Sequence, residues 1–312
     1  MRACLIIFIC AAAAGAAEPE VRDLRIRVLS TMLADNVGVG EWGFSALVEV
    51  DGRRILFDTG ARPQTVLANT TEMRLSPNGI TDVILSHNHG DHTGGLMTLR
   101  REFAKTDPKL LSVAHVGKGI FLKRTGGGFT GSMADLKREY EATGGRFLEY
   151  GKPAEIAPGV WLTGPVPRKY PERNWSGSVK VETAQGLVED NIPEDMSMVF
   201  RTAKGLVVLG GCGHAGIVNT LEYARASVGR LPVYAVIGGW HLFPLDDDRL
   251  AWTAERLKEF GLRNFLGAHC TGIEATYRIR QLAGLERATA AVAAVGATFD
   301  LKEGLRPGAI AR

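Results

Sequence analysis

Cysteine is scarce in this chain: four occur in 312 residues, and two of them, Cys4 and Cys10, fall within the first ten. A scaffold stapled by many disulfides is therefore excluded. A dominant charge is missing too, since 37 Lys and Arg against 34 Asp and Glu leave a formal +3. With no dense Lys/Arg block, a nucleic-acid partner is not indicated. Long hydrophobic runs are also lacking. The run Leu5-Ile6-Ile7-Phe8-Ile9 falls well short of the roughly 20 apolar residues that a bilayer crossing needs. There is no internal repeat and no low-complexity linker. Length allows one large domain or two small ones.

That short run has a different use. Arg2 precedes it, an alanine-rich stretch ending Ala14-Gly15-Ala16-Ala17 follows, and Glu18-Pro19 comes next. A positive start, a brief apolar core and small residues before a polar break match a cleavable secretory signal over residues 1–17. The mature chain is then expected to be periplasmic or secreted, with no stable membrane association. Neither Cys4 nor Cys10 has the context of a lipid-modified cysteine. Two cysteines remain, Cys212 in Gly-Cys-Gly-His and Cys270 in His-Cys-Thr-Gly. An oxidising compartment permits their pairing, while the glycine and histidine neighbours suggest packing beside a metal site. Both readings stand at this point.

Short runs rich in Val, Ile, Leu and Phe predict strands at 24–32, 44–50, 53–57 and 82–86, then at 160–163, 196–201, 206–209, 233–237 and 264–267. Asp51-Gly52 reads as a tight hairpin turn. Helical signals lie between the runs. Pro63 suits the first turn of a helix carrying Val66, Leu67 and Met73. Ser132 with Asp135 resembles a capping box, and Gly144-Gly145 supplies a stop. Ile217, Val218, Leu221 and Ala224 share one helical face, as do Leu250, Ala254 and Leu257. A last helix is expected from Ile273, interrupted near Gly284. The triplet Gly126–128 suggests a flap. The mixture implies an α/β fold, two sheets between outer helices.

The seven histidines fall at 87, 89, 92, 115, 214, 241 and 269. The densest motif is Ser86-His87-Asn88-His89-Gly90-Asp91-His92-Thr93-Gly94-Gly95, directly after the apolar run Asp82-Val83-Ile84-Leu85. In an extended segment, residues two apart point the same way, so His87 and His89 can chelate one cation. The turn at Gly90 lets Asp91 and His92 face a neighbouring position. Imidazole and carboxylate suit zinc, and also accept iron, manganese or nickel. A lone histidine is more often a surface or core residue, but four potential ligands within six positions at a strand end are not.

This motif resembles the signature of the metallo-β-lactamase superfamily, and Leu56-Phe57-Asp58-Thr59-Gly60 looks like its companion. Glu41-Trp42-Gly43-Phe44-Ser45, Thr163-Gly164-Pro165-Val166-Pro167-Arg168, Gly211-Cys212-Gly213-His214-Ala215-Gly216, Gly238-Gly239-Trp240-His241-Leu242 and Ala268-His269-Cys270-Thr271-Gly272 extend the likeness. They are similar to the branch named after 7,8-dihydropterin-6-methyl-4-(β-D-ribofuranosyl)aminobenzene-5′-phosphate synthase. The resemblance implies a four-layer αββα metallo-β-lactamase sandwich in a single domain, residues 18–312. It implies that Asp58 supports the histidine loop through hydrogen bonds.

One or two divalent metal ions are expected. His87, His89 and His214 would serve the first, and Asp91, His92 and His269 the second. Many members carry a bridging aspartate where this chain reads Gly210-Gly211-Cys212-Gly213-His214. Cys212 is expected beside the metals rather than on them, and Asp195, His241 and Cys212 are the candidates for the missing bridge. Asp91 and His241 are the candidate catalytic residues, and Arg168 the candidate anion clamp. His115 is read as structural. The expected partner is a small molecule, and the sequence leaves the oligomeric state open. Hydrolysis of a phosphoester, phosphodiester or other ester by metal-activated water comes first. A synthase-type transferase and a non-catalytic metal-binding protein are the alternatives.

Overall fold

The computed structural model describes residues 20–126 and 132–311. The expected leader, residues 1–17, lies outside the described residues, as do Gly127 and Gly128 of the expected flap. Each of the nine expected strands is present within two residues of its predicted ends. Asp51 and Gly52, at φ 43° and 80°, close the hairpin between Ser45–Val50 and Arg53–Phe57. Pro63 is a correction. The helix Thr65–Glu72 begins after a cap at Gln64, so the proline sits in the turn ahead of it. Ser132 caps Met133–Ala142 by accepting from the Asp135 amide.

Two large sheets face one another. One has eight strands in the order Gly304–Arg306, Thr298–Asp300, Leu24–Ser30, Ser45–Val50, Arg53–Phe57, Ile80–Leu85, Val113–Gly117, Arg146–Tyr150. The other has seven, in the order Ala290–Val292, Asn264–Gly267, Val233–Gly238, Gly205–Gly210, Met198–Thr202, Val160–Leu162, Ala154–Ala157. Alternation along the strands sorts their side chains. Ile26, Val28, Val48, Ile55 and Phe57 meet Phe200, Val207, Leu209 and Ile237 between the sheets. Leu47, Leu56, Val83 and Leu85 turn outward to Val66, Leu96, Leu99 and Tyr140 on helices. Leu206, Val208, Val233 and Phe265 turn outward to Ile217, Leu221, Leu257 and Ile279. This is the period of two that a sheet buried on both faces requires. The result is the expected αββα sandwich. No helix among the described residues is long and apolar enough to cross a membrane.

Within each sheet, one run of neighbouring strands is parallel: Arg53–Phe57, Ile80–Leu85, Val113–Gly117 and Arg146–Tyr150 in the first. In the second these are Gly205–Gly210, Val233–Gly238, Asn264–Gly267 and Ala290–Val292. Parallel strands deliver their carboxyl ends to one edge, where ligands gather in open α/β sheets. Asp58, His87, Cys212, His241 and His269 each follow such a strand within three residues.

Burial sets the expected cost of cutting this core. Phe200 is fully buried between the sheets, so Phe200→Ala should cost about 3–5 kcal/mol in urea denaturation. A loss below about 1 kcal/mol would show that the two sheets do not pack there as described.

A candidate metal centre at the carboxyl ends of the strands

The strand Ile80–Leu85 ends in the extended Ser86–His89 segment, and Gly90–Thr93 makes one helical turn. The carbonyl of His92 accepts from the Thr59 amide at 2.7 Å, and that of Asp91 from the Phe44 amide at 3.1 Å. Both loops that flank the motif therefore pin it. Beneath it lies Asp58, fully buried. Its Oδ1 accepts from the Ser86 amide at 2.7 Å. Its Oδ2 accepts from Ser86 Oγ at 2.8 Å and lies 2.7 Å from His92 Nδ1. Ser86 Oγ is in turn 2.9 Å from His87 Nδ1. One carboxylate thus orients two imidazoles, directing the Nε2 atoms of His87 and His92 away from it.

The expected ligand residues meet in two sets. Ligand atoms of His87, His89 and His214 lie within 4.8 Å of one another, and so do those of Asp91, His92 and His269. His214 is aimed by its Nδ1, which donates to the carbonyl of Asn174. His269 Nε2 stands 3.1 Å from Asp91 Oδ2. The Nε2 atoms of His87 and His214 are buried with no hydrogen-bond partner. Unpaired buried donors and acceptors are costly, and a cation between them removes that cost. The donor set therefore fits a divalent metal.

Cys212 changes what was expected of it. Its Sγ falls within the same 4.8 Å limit of His87 and His92, of His214 and His241, and of His269 and Cys270. It occupies the middle of the centre, in contact with members of both sets. Asp195 joins none of the ligand groups among the described residues; its Oδ2 accepts from the Ala215 amide at 2.8 Å. His241 stands at the edge, part-buried, its ring 4.7 Å from that of His214. Arg168 donates through Nη2 to the carbonyls of Asn191 and Ile192 and lies over the Trp175 ring. His115 bridges Tyr150 and Asp82 at 2.8 Å on each side, away from the cluster.

Electrostatics prepares the first set for a cation. Burial holds His87 and His214 well below the ordinary imidazole value, and takes His89 down to about 4. All three are neutral at pH 7, the form that binds metal. His92 goes the other way. Burial opposes its charge, but the carboxylates of Asp58 and Asp91 outweigh burial and raise it to about 9. Burial would also raise Asp91, yet the imidazoles of His92 and His269 hold it below the usual carboxylate range. Backbone strain gathers at the same place. Asp58, His241 and His269 take φ of 51°, 49° and 45°, a region side chains rarely adopt.

Sequence reasoning missed a buried ion triad beside the histidine loop. Arg124 Nε donates to Asp190 Oδ2 and its Nη2 to Glu194 Oε2, each at 2.6 Å, with all three side chains almost fully buried. Glu194 Oε1 accepts from the Asn88 amide at 3.2 Å. Glu41 stands in the sequence only as part of a motif, with no role of its own to be read there. Its carboxylate accepts from Ser30 Oγ and from the amides of Ala61 and Arg62, fixing the turn after Asp58. Its Glu-Trp-Gly motif was the signal that could have found it.

Comparison with known proteins agrees with the fold. The model of the metallo-beta-lactamase superfamily matches residues 43–146. A protein of Methanocaldococcus jannaschii named 7,8-dihydropterin-6-methyl-4-(beta-D-ribofuranosyl)-aminobenzene-5′-phosphate synthase is 33% identical over 242 residues, 75% of this chain and 82% of that one. A solved metal-dependent hydrolase of the beta-lactamase superfamily superposes with a TM-score of 0.71 at 26% identity, covering 88% of this chain and 98% of its own. Zinc-bound PqqB from Methylobacterium extorquens shares the fold, with a TM-score of 0.54 at 16% identity over 89% of this chain and 100% of its own.

Two outcomes follow from Asp58. Asp58→Asn should weaken cation binding about 10- to 100-fold, measured by elemental analysis after dialysis against graded chelator, while His115→Gln leaves metal content unchanged. In the metal-free chain His92 keeps its proton up to about pH 9, so filling its set at pH 7.5 must expel that proton. Calorimetry in two buffers of different protonation enthalpy should show proton release, smaller in Asp58→Asn. Equal release by both proteins would refute the assignment of that proton to His92.

Proposed function

This chain belongs to the metallo-β-lactamase superfamily, and from that membership we propose that it hydrolyses a phosphoester, phosphodiester or other ester of a small molecule with a divalent cation. The observation that carries the reading is the meeting of two ligand sets, His87/His89/His214 and Asp91/His92/His269, about one buried thiol. Nitrogen, oxygen and sulfur donors together suit zinc first, with iron, manganese or nickel as further candidates. When bound, such a cation lowers the pKa of a water from about 15.7 toward 7 and polarises the scissile phosphoryl or acyl oxygen.

The chain's own residues supply the rest. Asp91 is part-buried, its side chain 21% exposed, so its carboxylate can accept a hydrogen bond from the attacking water and aim it. His241 has a buried Nδ1 with no partner and is assigned the proton delivered to the leaving oxygen. Trp42 and Phe243, half-exposed and 5.5 Å apart, wall the mouth beside His269 and His241. Arg168 keeps Nε uncommitted and is assigned the anionic group of the substrate. The leader-like residues 1–17 support a periplasmic or secreted site of action.

One observation favours a second reading. The 33% identical relative is named as a synthase, which makes a transferase on a dihydropterin and a ribosyl aminobenzene phosphate the competing reaction. Export fits poorly with that chemistry.

Zinc-loaded protein should turn over at least one substrate in a panel of aryl phosphomonoesters, phosphodiesters, lactones and carboxyl esters. Chelation should abolish the activity and added zinc restore it. His87→Ala with His89→Ala should lower kcat by about 10²–10³-fold or more. Product from the pterin and ribosyl pair, with none from the ester panel, would replace hydrolase by synthase. Stoichiometric metal without either activity would replace both by a binding protein.

A further inference from the structure

Cys212 and Cys270 follow the strands Gly205–Gly210 and Asn264–Gly267, which are not neighbours, since Val233–Gly238 lies between them. Their loops nonetheless fold together over its end. The two Sγ atoms stand 3.2 Å apart, 2% and 1% of the residues being exposed, and both thiols are free. Close backbone approach enforces this. A Cβ at Gly239 would stand 1.9 Å from the Gly211 carbonyl oxygen and 3.1 Å from Cys270 Sγ. A Cβ at Gly211 would stand 2.1 Å from Ser86 Oγ. Only glycine lets the three loops close, and closure presses both sulfurs onto the centre.

Buried cysteines usually pack as small apolar groups. These two have polar company instead. Cys212 Sγ is 3.1 Å from His92 Nε2, and Cys270 Sγ accepts from the His241 amide at 3.2 Å. Ligand atoms of Cys212, Cys270 and His269 lie within 4.8 Å of one another, a set separate from the one that His269 shares with Asp91 and His92. Two thiolates on one tetrahedral cation, at about 2.3 Å each, stand roughly 3.8 Å apart. The observed pair needs to part by only about half an ångström to reach that spacing.

We propose that Cys212 and Cys270 are a pair of thiolate donors which, with His269, hold a thiophilic divalent cation of the zinc or cadmium class in this centre. The proposal rests on the reading that the centre is a metal site, and it does not depend on hydrolysis. Each thiol releases its proton to solvent as its sulfur–metal bond forms, and no electron is transferred. Sulfur donors select against hard cations such as magnesium or manganese.

The test is spectroscopic and uses the whole chain under reducing conditions. Cobalt(II)-loaded protein should show thiolate-to-cobalt charge-transfer absorption in the near ultraviolet. Cys212→Ser and Cys270→Ser should each remove about half of it, and the double variant all of it. Cadmium-113 loaded into the unaltered chain should resonate in the range of two sulfur donors, a readout that needs no variant to fold. A cobalt spectrum without the thiolate band, or a cadmium resonance in the nitrogen–oxygen range, overturns the proposal. So does a band lost in Cys212→Ser and untouched in Cys270→Ser, which makes Cys212 the sole sulfur donor. A two-sulfur signal with no turnover on the ester panel sustains the proposal and sinks the hydrolase. Turnover without a sulfur signal does the reverse.

Discussion

Asp58 spends its carboxylate on three groups at once: the Ser86 amide, the Ser86 hydroxyl and the His92 ring. Through Ser86 it also reaches the His87 ring. One imidazole from each ligand set is therefore oriented by the same buried charge. To do this the residue must enter the left-handed backbone region, at φ 51°, with a cost of order 1–3 kcal/mol. Its carbonyl accepts from Ser45 Oγ, and Glu41 clasps the next turn by two amides. The surrounding hydrogen bonds over-determine a strained residue, which is how such geometry persists.

The same economy governs charge. The five imidazoles among the candidate donors would repel one another if all were protonated. Burial prevents this in the first set, leaving His87, His89 and His214 neutral. Behind the loop, Arg124 is matched by Asp190 and Glu194. A buried triad of this kind gains little net stability over an apolar packing. Its contribution is positional: Glu194 holds the Asn88 amide between His87 and His89.

Much of this was legible in the sequence for reasons that can be named. His87, His89, Asp91 and His92 are packed so densely after an apolar strand that their chemistry shows without any tertiary information. Most of the inner strands were legible because their apolar runs are buried on both faces, but the buried Val113–Gly117, with His115 at its middle, was not. Neither was the edge strand Arg146–Tyr150, because none of its residues is buried and its charged residues hide the pattern. Pro63 was placed inside a helix because its fixed φ suits that position, whereas the cap formed one residue later. Arg124, Asp190 and Glu194 were invisible for a different reason. The arginine lies 66 and 70 residues from its partners, and no local spacing signals such a pairing. Cys212 lay between these cases. Its loop was recognised, but its position between the ligand sets depends on three strand ends closing at glycines far apart in the chain.

The pairing of Leu24–Ser30 with Thr298–Asp300 joins segments that begin and end the described chain, 275 residues apart at Arg25 and Asp300. Donors from His87 to His269 must likewise assemble across most of the length. Contacts of such long range are slow to form, and a ribosome cannot present both strands of that pair until it has passed Asp300. A nascent chain that has not yet passed His214 and His269 carries the dense His87–His92 motif without the two distant imidazoles that join it in the folded protein.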